Sequence, residues 1–193
     1  QFGFDLKTEN CSVNFLNCEF NRNTCFNGKG GALALSVLND VLISDCVFSE
    51  NSAEDEDGSS IFIIGNSTQK VQHPLNSVSI KNCQFMKNHG KSCICLQESN
   101  IQIDSLEISS CLFIDNICTN SRQFLVSSSS NDVTFSDNNI TFSESSDKFG
   151  SLYINHRRTA YLSNSSFINC QASSDSTMQL LAENDLASLT VYN

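Results

Sequence analysis

Proline, tryptophan and cations are the scarce residues of this sequence, and each scarcity excludes something. With one Pro in 193 residues, nearly every backbone amide can donate, which suits a chain whose N–H groups are needed in ladders. Eleven Lys and Arg stand against 21 Asp and Glu, for a net charge of −10. Phosphate backbones are gripped by clustered cations, so nucleic acid is not an expected partner. No run approaches the ~20 apolar residues of a membrane-spanning helix. Nor does the start read as a leader, because Phe2 and Phe4 are followed at once by Asp5 and Lys7. Residues 1–193 are read as one segment, expected to be part of a longer chain.

What is present is a repeat. Apolar-x-apolar-x-x-Cys-x-Phe-x-x-Asn occurs as Val13, Phe15, Cys18, Phe20, Asn23, and again as Val41, Ile43, Cys46, Phe48, Asn51. Further copies are Val78, Ile80, Cys83, Phe85, Asn88 and Leu106, Ile108, Cys111, Phe113, Asn116. Two weaker copies follow. Val133 and Phe135 lead to Phe142 through two extra residues, while Ala160 and Leu162 lead to Ser165, Phe167 and Cys170. Leu189 and Val191 open a seventh copy that the chain does not finish. The first residues of these copies are 28, 37, 28, 27, 27 and 29 positions apart. One insertion, Gly65 to Ser77, accounts for the long interval.

A second element recurs between copies, as in Gly30-Gly31-Ala32-Leu33-Ala34-Leu35, Gly58 to Ile63, Ser92 to Leu96 and Gly150 to Ile154. Within each piece the apolar period is 2, the mark of strands. The step of three from Ile43 to Cys46 places a corner near Ser44-Asp45. Strands this short cannot bury themselves in hairpins, but stacking like coils pairs each strand in parallel above and below. The expected fold is therefore all-β: a right-handed parallel β-helix of about six coils, roughly 28 residues each, with three short strands per coil. Stacking turns repeat positions into columns. A Phe column (Phe20, Phe48, Phe85, Phe113, Phe142, Phe167) should run along the interior. An Asn column (Asn23, Asn51, Asn88, Asn116) should sit at a turn. Gly30, Gly58 and Gly150 should form the tight turns before the third strand. A leucine-rich repeat would require helical windows, and none is found.

The Phe-x-x-Asn element at Phe20, Phe48, Phe85 and Phe113, with Gly30-Gly31-Ala32, resembles the repeats of polymorphic outer membrane proteins. It also resembles those of the large β-helical surface proteins of protozoan parasites such as trichomonads. The likeness spans about residues 11 to 193 and fades after Asn116. It implies a secreted or surface-displayed chain that acts in adhesion or as a structural repeat.

Ten Cys divide by position. Cys18, Cys46, Cys83 and Cys111 share one repeat position and read as a buried column of thiols, with pairing between neighbours left open. Cys93 and Cys95 flank core-facing Ile94 and should face outward. With Cys11, Cys25, Cys118 and Cys170 in turns, they are the disulfide candidates. Glycosylation sequons occur at Asn10, Asn66, Asn139 and Asn164. Sequons and cysteines together point to an extracellular location.

Signs of chemistry are few. The acidic run Glu54-Asp55-Glu56-Asp57 reads as a solvated loop, with a Ca²⁺ site as the sharper alternative. His73, His89 and His156 are expected in loops, and His156-Arg157-Arg158 in an exposed turn. The sets of pectin-depolymerising hydrolases are absent, and no catalytic, cofactor or metal residues are assigned. Two surfaces could bind: the insertion loop, and the outward column Ala34, Phe62, Cys95 and Tyr153, where exposed aromatics would mark a contact. The function expected is an extracellular structural or adhesive repeat segment of a larger filament or assembly, without catalysis. Its partners would be further repeats, other protein chains or surface glycans. The alternative is a carbohydrate-active or carbohydrate-binding β-helix.

Overall fold

A computed structural model describes residues 4–7, 11–37, 39–53, 56–65, 75–97, 103–118, 125–141, 152–169, 178–182 and 188–192. Among these the chain is all strand and turn, with no helix and every strand pairing parallel. It is a parallel β-helix of about four regular turns, flanked by less regular coil.

Each regular coil begins with a strand such as Val13–Leu16, Val41–Ser44, Leu75–Lys81 or Ile103–Ser109. A second strand follows after one corner: Glu19–Asn21, Val47–Ser49, Gln84–Met86, Leu112–Ile114, Asn139–Thr141 and Ser166–Ile168 form a six-stranded sheet. The last strand of each coil is Phe4–Lys7, Leu33–Val37, Ile61–Gly65 or Ile94–Gln97. Between the second strand and the last lies one that the apolar pattern does not announce. Thr24–Cys25, Ser52–Ala53, His89–Gly90 and Ile117–Cys118 make a four-stranded sheet, so a regular coil has four strands and not three. Two residues are too few to carry a period. In the later coils Leu125–Ser136 and Leu152–Ser163 run straight through the corner between last and first strands, joining both columns into one 12-stranded sheet.

Register follows the apolar pairs. Val13 aligns with Val41, Val41 with Val78, Val78 with Leu106, Leu106 with Val133 and Val133 with Ala160. These residues point inward and are buried. The Phe column is real over four coils: ring centroids of Phe20, Phe48, Phe85 and Phe113 are 4.8, 5.0 and 4.7 Å apart, with planes within 7° of parallel. The rings take the spacing of the strands that carry them.

The fifth rung is different from the expectation. Phe113 pairs with Ile140 and Ile140 with Phe167, so Ile140 and not Phe142 holds this position. No extra residues intervene, and Asn138 takes the place of Cys. Phe142 and Gly150 lie outside the described residues, as do Glu54, Asp55, His73 and most of the Gly65–Ser77 insertion. Gly65 itself ends one strand, and Ser77 lies inside the next.

Both corners around the second strand need left-handed backbone. Asn17, Asp45, Asn82, Ser110, Asp137 and Asn164 precede the Cys-type position with φ between 46 and 56°. Arg22, Glu50, Lys87 and Asp115 precede the Asn position with φ between 51 and 55°. The left-handed residue is thus the one before the column Asn, not the Asn itself. The expected corner at Ser44-Asp45 is present. Gly30 and Gly58, at φ of 75 and 71°, make the tight turn before the last strand, where a Cβ would sit 2.4–2.5 Å from a carbonyl oxygen.

Candidate functional site

The corners are where buried polar chemistry concentrates, so they come first. Asn51, Asn88 and Asn116 are essentially inaccessible, and the amide of each is hydrogen-bonded to neighbouring coils. The Asn88 Oδ1 accepts from Asn51 N at 3.0 Å and from Asn51 Nδ2 at 3.0 Å. Its Nδ2 donates to Phe48 O at 3.0 Å and to Asn116 Oδ1 at 2.8 Å. Asn51 and Asn116 repeat these bonds to Phe20 O and Phe85 O. A buried amide so satisfied stitches three coils together.

The Cys position uses a related device. Cys46, Cys83 and Cys111 donate Sγ–H to the carbonyls of Ser44, Lys81 and Ser109 at 3.1–3.3 Å. The Cys46 sulfur also accepts from Cys18 N at 3.4 Å. In the fifth coil Asn138 Oδ1 accepts from Cys111 N at 2.9 Å, and in the sixth Ser165 Oγ accepts from Asn138 N at 3.2 Å. Cys, Asn and Ser therefore share one task, closing the backbone of the coil before. Reading the column as small hydrophobes missed this; the Ser and Asn at equivalent spacing were the signal. Burial pushes the Cys46 thiol up to about 11. A hydrogen bond with Cys111, then burial, raises that of Cys83.

The eight cysteines whose side chains are described are all thiols. Cys93 and Cys95 do not face water as expected: they are 0% and 3% exposed. Cys93 packs in the core 3.3 Å from Ser60 Oγ, and burial pushes it up to about 12. The backbone bends at Cys93, just before the strand, so Cys93 and Ile94 both enter the core, which strict alternation would forbid. Cys95 does lie on the column of Ala34 and Phe62. Yet Phe62 is 7% exposed, with Lys29 Nζ 4.9 Å from its ring centre. The expected exposed aromatic is therefore covered. Cys11 is exposed and Cys25 half-buried. The side chains of Cys118 and Tyr153, and all of Cys170, lie outside the described residues.

The described half of the acidic run is paired from above and below. Lys29 Nζ lies 3.6 Å from Asp57 and Lys91 Nζ lies 3.6 Å from Glu56. Among the described residues no group of three or more His, Cys, Asp or Glu could hold a metal ion.

Outside the core, a polar column runs one residue before each first apolar position: Ser12, Asp40, Ser77, Ser105, Asp132 and Thr159. Asp40 accepts from Ser12 at 3.3 Å and from Ser77 at 2.7 Å. Asp132 accepts from Thr159 at 2.6 Å. Beside it, the Arg158 guanidinium bridges Asp104 at 3.0 Å and Asp132 at 2.7 Å, and Asn131 donates to Asp104 at 2.8 Å. Two carboxylates and an arginine from three successive coils thus converge on one open face. The sequence singled out Arg158, as part of an exposed basic turn, but not its partners Asp104 and Asp132, although the column that holds Asp132 is uniformly polar.

His156-Arg157-Arg158 is not a turn but part of strand Leu152–Ser163, and His156 is 2% exposed. His89 likewise belongs to a strand, His89–Gly90. Of the sequons, Asn139 and Asn164 are exposed, while Asn10 and Asn66 lie outside the described residues. The Asn139 Oδ1 accepts from Thr141 at 3.1 Å and Ser166 at 2.9 Å, and Asn164 Nδ2 donates to Asp137 at 3.2 Å. No family model matches the chain, and no curated protein or solved structure shows significant similarity to it.

Proposed function

We propose that this chain is an extracellular or cell-surface structural and adhesive β-helical segment, working within a larger filament or assembly and without catalysis. The observation that carries this reading is the commitment of its buried amides to joining coils. Among the described residues the side chains of Asn51, Asn88 and Asn116 bind neighbouring turns, which favours a stiff scaffold. The resemblance to polymorphic outer membrane proteins and protozoan surface β-helices supports the same role. On this reading the chain travels the secretory route and is a glycoprotein, with Asn139 and Asn164 the sequons best presented. Any disulfide would draw on Cys11, Cys25, Cys118 or Cys170, because Cys93 and Cys95 are buried; Cys25 and Cys118 end short strands and do not sit in turns as expected. The partners are further repeats, other protein chains or surface glycans.

A carbohydrate-active or carbohydrate-binding β-helix is the second reading. Asp104, Asp132 and Arg158 favour it, being an acid pair and a cation set across adjacent coils. One experiment separates the two. Beads coated with the purified chain are scored for retention on cell surfaces, and the same protein is incubated with a panel of polysaccharides. Retention without depolymerisation is expected. Turnover that disappears in Asp132→Asn would replace the structural reading with the enzymatic one.

A further inference from the structure

Among the described residues, His156 lies beside the one strand pairing whose register slips. Its strand, Leu152–Ser163, pairs with Leu125–Ser136, and the register of that pairing slips between Ser127 and Ser130 and again between Ser130 and Asp132. His156 pairs with buried Ser130 on one side and with Ala182 on the other. The side chain is 2% exposed, and its Nδ1 has no hydrogen-bond partner among the described residues. A neutral imidazole can be housed this way, but an imidazolium needs donors satisfied on both nitrogens and its charge solvated.

The neighbouring charges do not relieve that need. On its own strand stand Arg157 and Arg158, both cations. Strand Leu125–Ser136 offers Asp132, and Ile103–Ser109 offers Asp104 and Glu107. Arg158 already binds Asp104 and Asp132, and Lys81 binds Glu107 at 2.8 Å. Met178–Ala182 and Ser188–Tyr192 carry no charged residue.

We propose that His156 makes this strand pair acid-sensitive: its protonation opens the pairing of Leu125–Ser136 with Leu152–Ser163 while the regular coils before it stay closed. Burial holds the imidazole below its usual range, in line with that geometry. A depressed folded value means that the contribution is present above the unfolded value of about 6.5 and is lost as pH falls through the folded one. The segment that opens ends at Ser163, within reach of the Asn164 sequon.

Amide hydrogen exchange of the intact chain, corrected for intrinsic rates, tests this at pH 7.5 and pH 5. Protection in residues 125–136 and 152–163 should fall by about tenfold for each pH unit between the unfolded value of about 6.5 and the folded value, or pH 5 where the folded value is lower still. Protection in 41–44 and 78–81 should not change, and His156→Gln should abolish the local drop. A drop that persists in His156→Gln, or one spread evenly along the chain, overturns the proposal. If that variant fails to fold, the imidazole titration of the wild type decides by NMR. A His156 value under 6.5, with amide loss in the same window, supports the proposal, whereas a value at or above 6.5 overturns it.

Discussion

Asn88 shows how one side chain can hold three coils. Removing its amide leaves the buried Asn51 N–H without an acceptor, at about 1–3 kcal/mol, and takes a second donor from the Phe48 carbonyl and the bond to Asn116 as well. Asn88→Ala should therefore lower unfolding free energy by about 3 kcal/mol, measured by urea denaturation. Asn88→Asp should also destabilise, because it sets a carboxylate against the Asn116 Oδ1. The Cys position gives a sharper contrast. If Cys83 were only a small hydrophobe, Cys83→Val would be the mild change and Cys83→Ser the harmful one. The Ser at position 165 and the Asn at 138 argue the reverse, since the backbone amide of Cys46 needs an acceptor there. Cys83→Ser should cost about 1 kcal/mol, less than Cys83→Val, in paired denaturation curves. The raised thiol of Cys46 adds a pH dependence. Folding favours its protonated form, so this contribution is full below the unfolded value near 9 and fades as pH climbs to about 11. Melts at pH 8 and pH 10.5 should show the loss, and Cys46→Ser should lessen it.

Corners set the elements. Each second strand of the regular coils is bounded by two left-handed residues, and ordinary L-residues in that region cost about 1–2 kcal/mol each. Lys87, exposed at φ of 54°, is a clean probe. Lys87→Gly should be neutral to about 1 kcal/mol stabilising, and Lys87→Ile destabilising by about 1–2 kcal/mol, read from the urea midpoint. The reverse ranking would mean that this corner is not left-handed. Elements were legible wherever two apolar residues alternate, as in Val41 and Ile43 or Cys46 and Phe48. The two-residue strand Ser52–Ala53 was not, because it has no room for a period. Nor was the continuous strand Leu152–Ser163, whose His-Arg-Arg stretch imitates a turn in composition. The fifth rung was misaligned because Phe142 is the better chemical match to the Phe column. Geometry prefers Ile140, whose spacing from Asn138 repeats that of Phe from Cys.

For the molecule as a whole, nearly all pairing joins each coil to its neighbours, so stability should pass along the axis from one turn to the next. The interior of the regular coils could be written from the repeat almost residue by residue. The polar face around Asp104, Asp132 and Arg158 could not, since an ion pair spanning three coils leaves no mark in local sequence. His156 was hidden for the same reason: its burial comes from strands on either side. Parallel, in-register stacking is the premise on which every ladder, and so the proposed scaffold role, depends. NMR cross-peaks between aromatic rings in the native chain test it most directly. Phe48 should contact both Phe20 and Phe85, with backbone Hα–HN contacts linking Val41 to residues near Val13 and Val78. Hα–Hα contacts between sequence-adjacent strands, the mark of antiparallel hairpins, would contradict the parallel stack and the ladders with it.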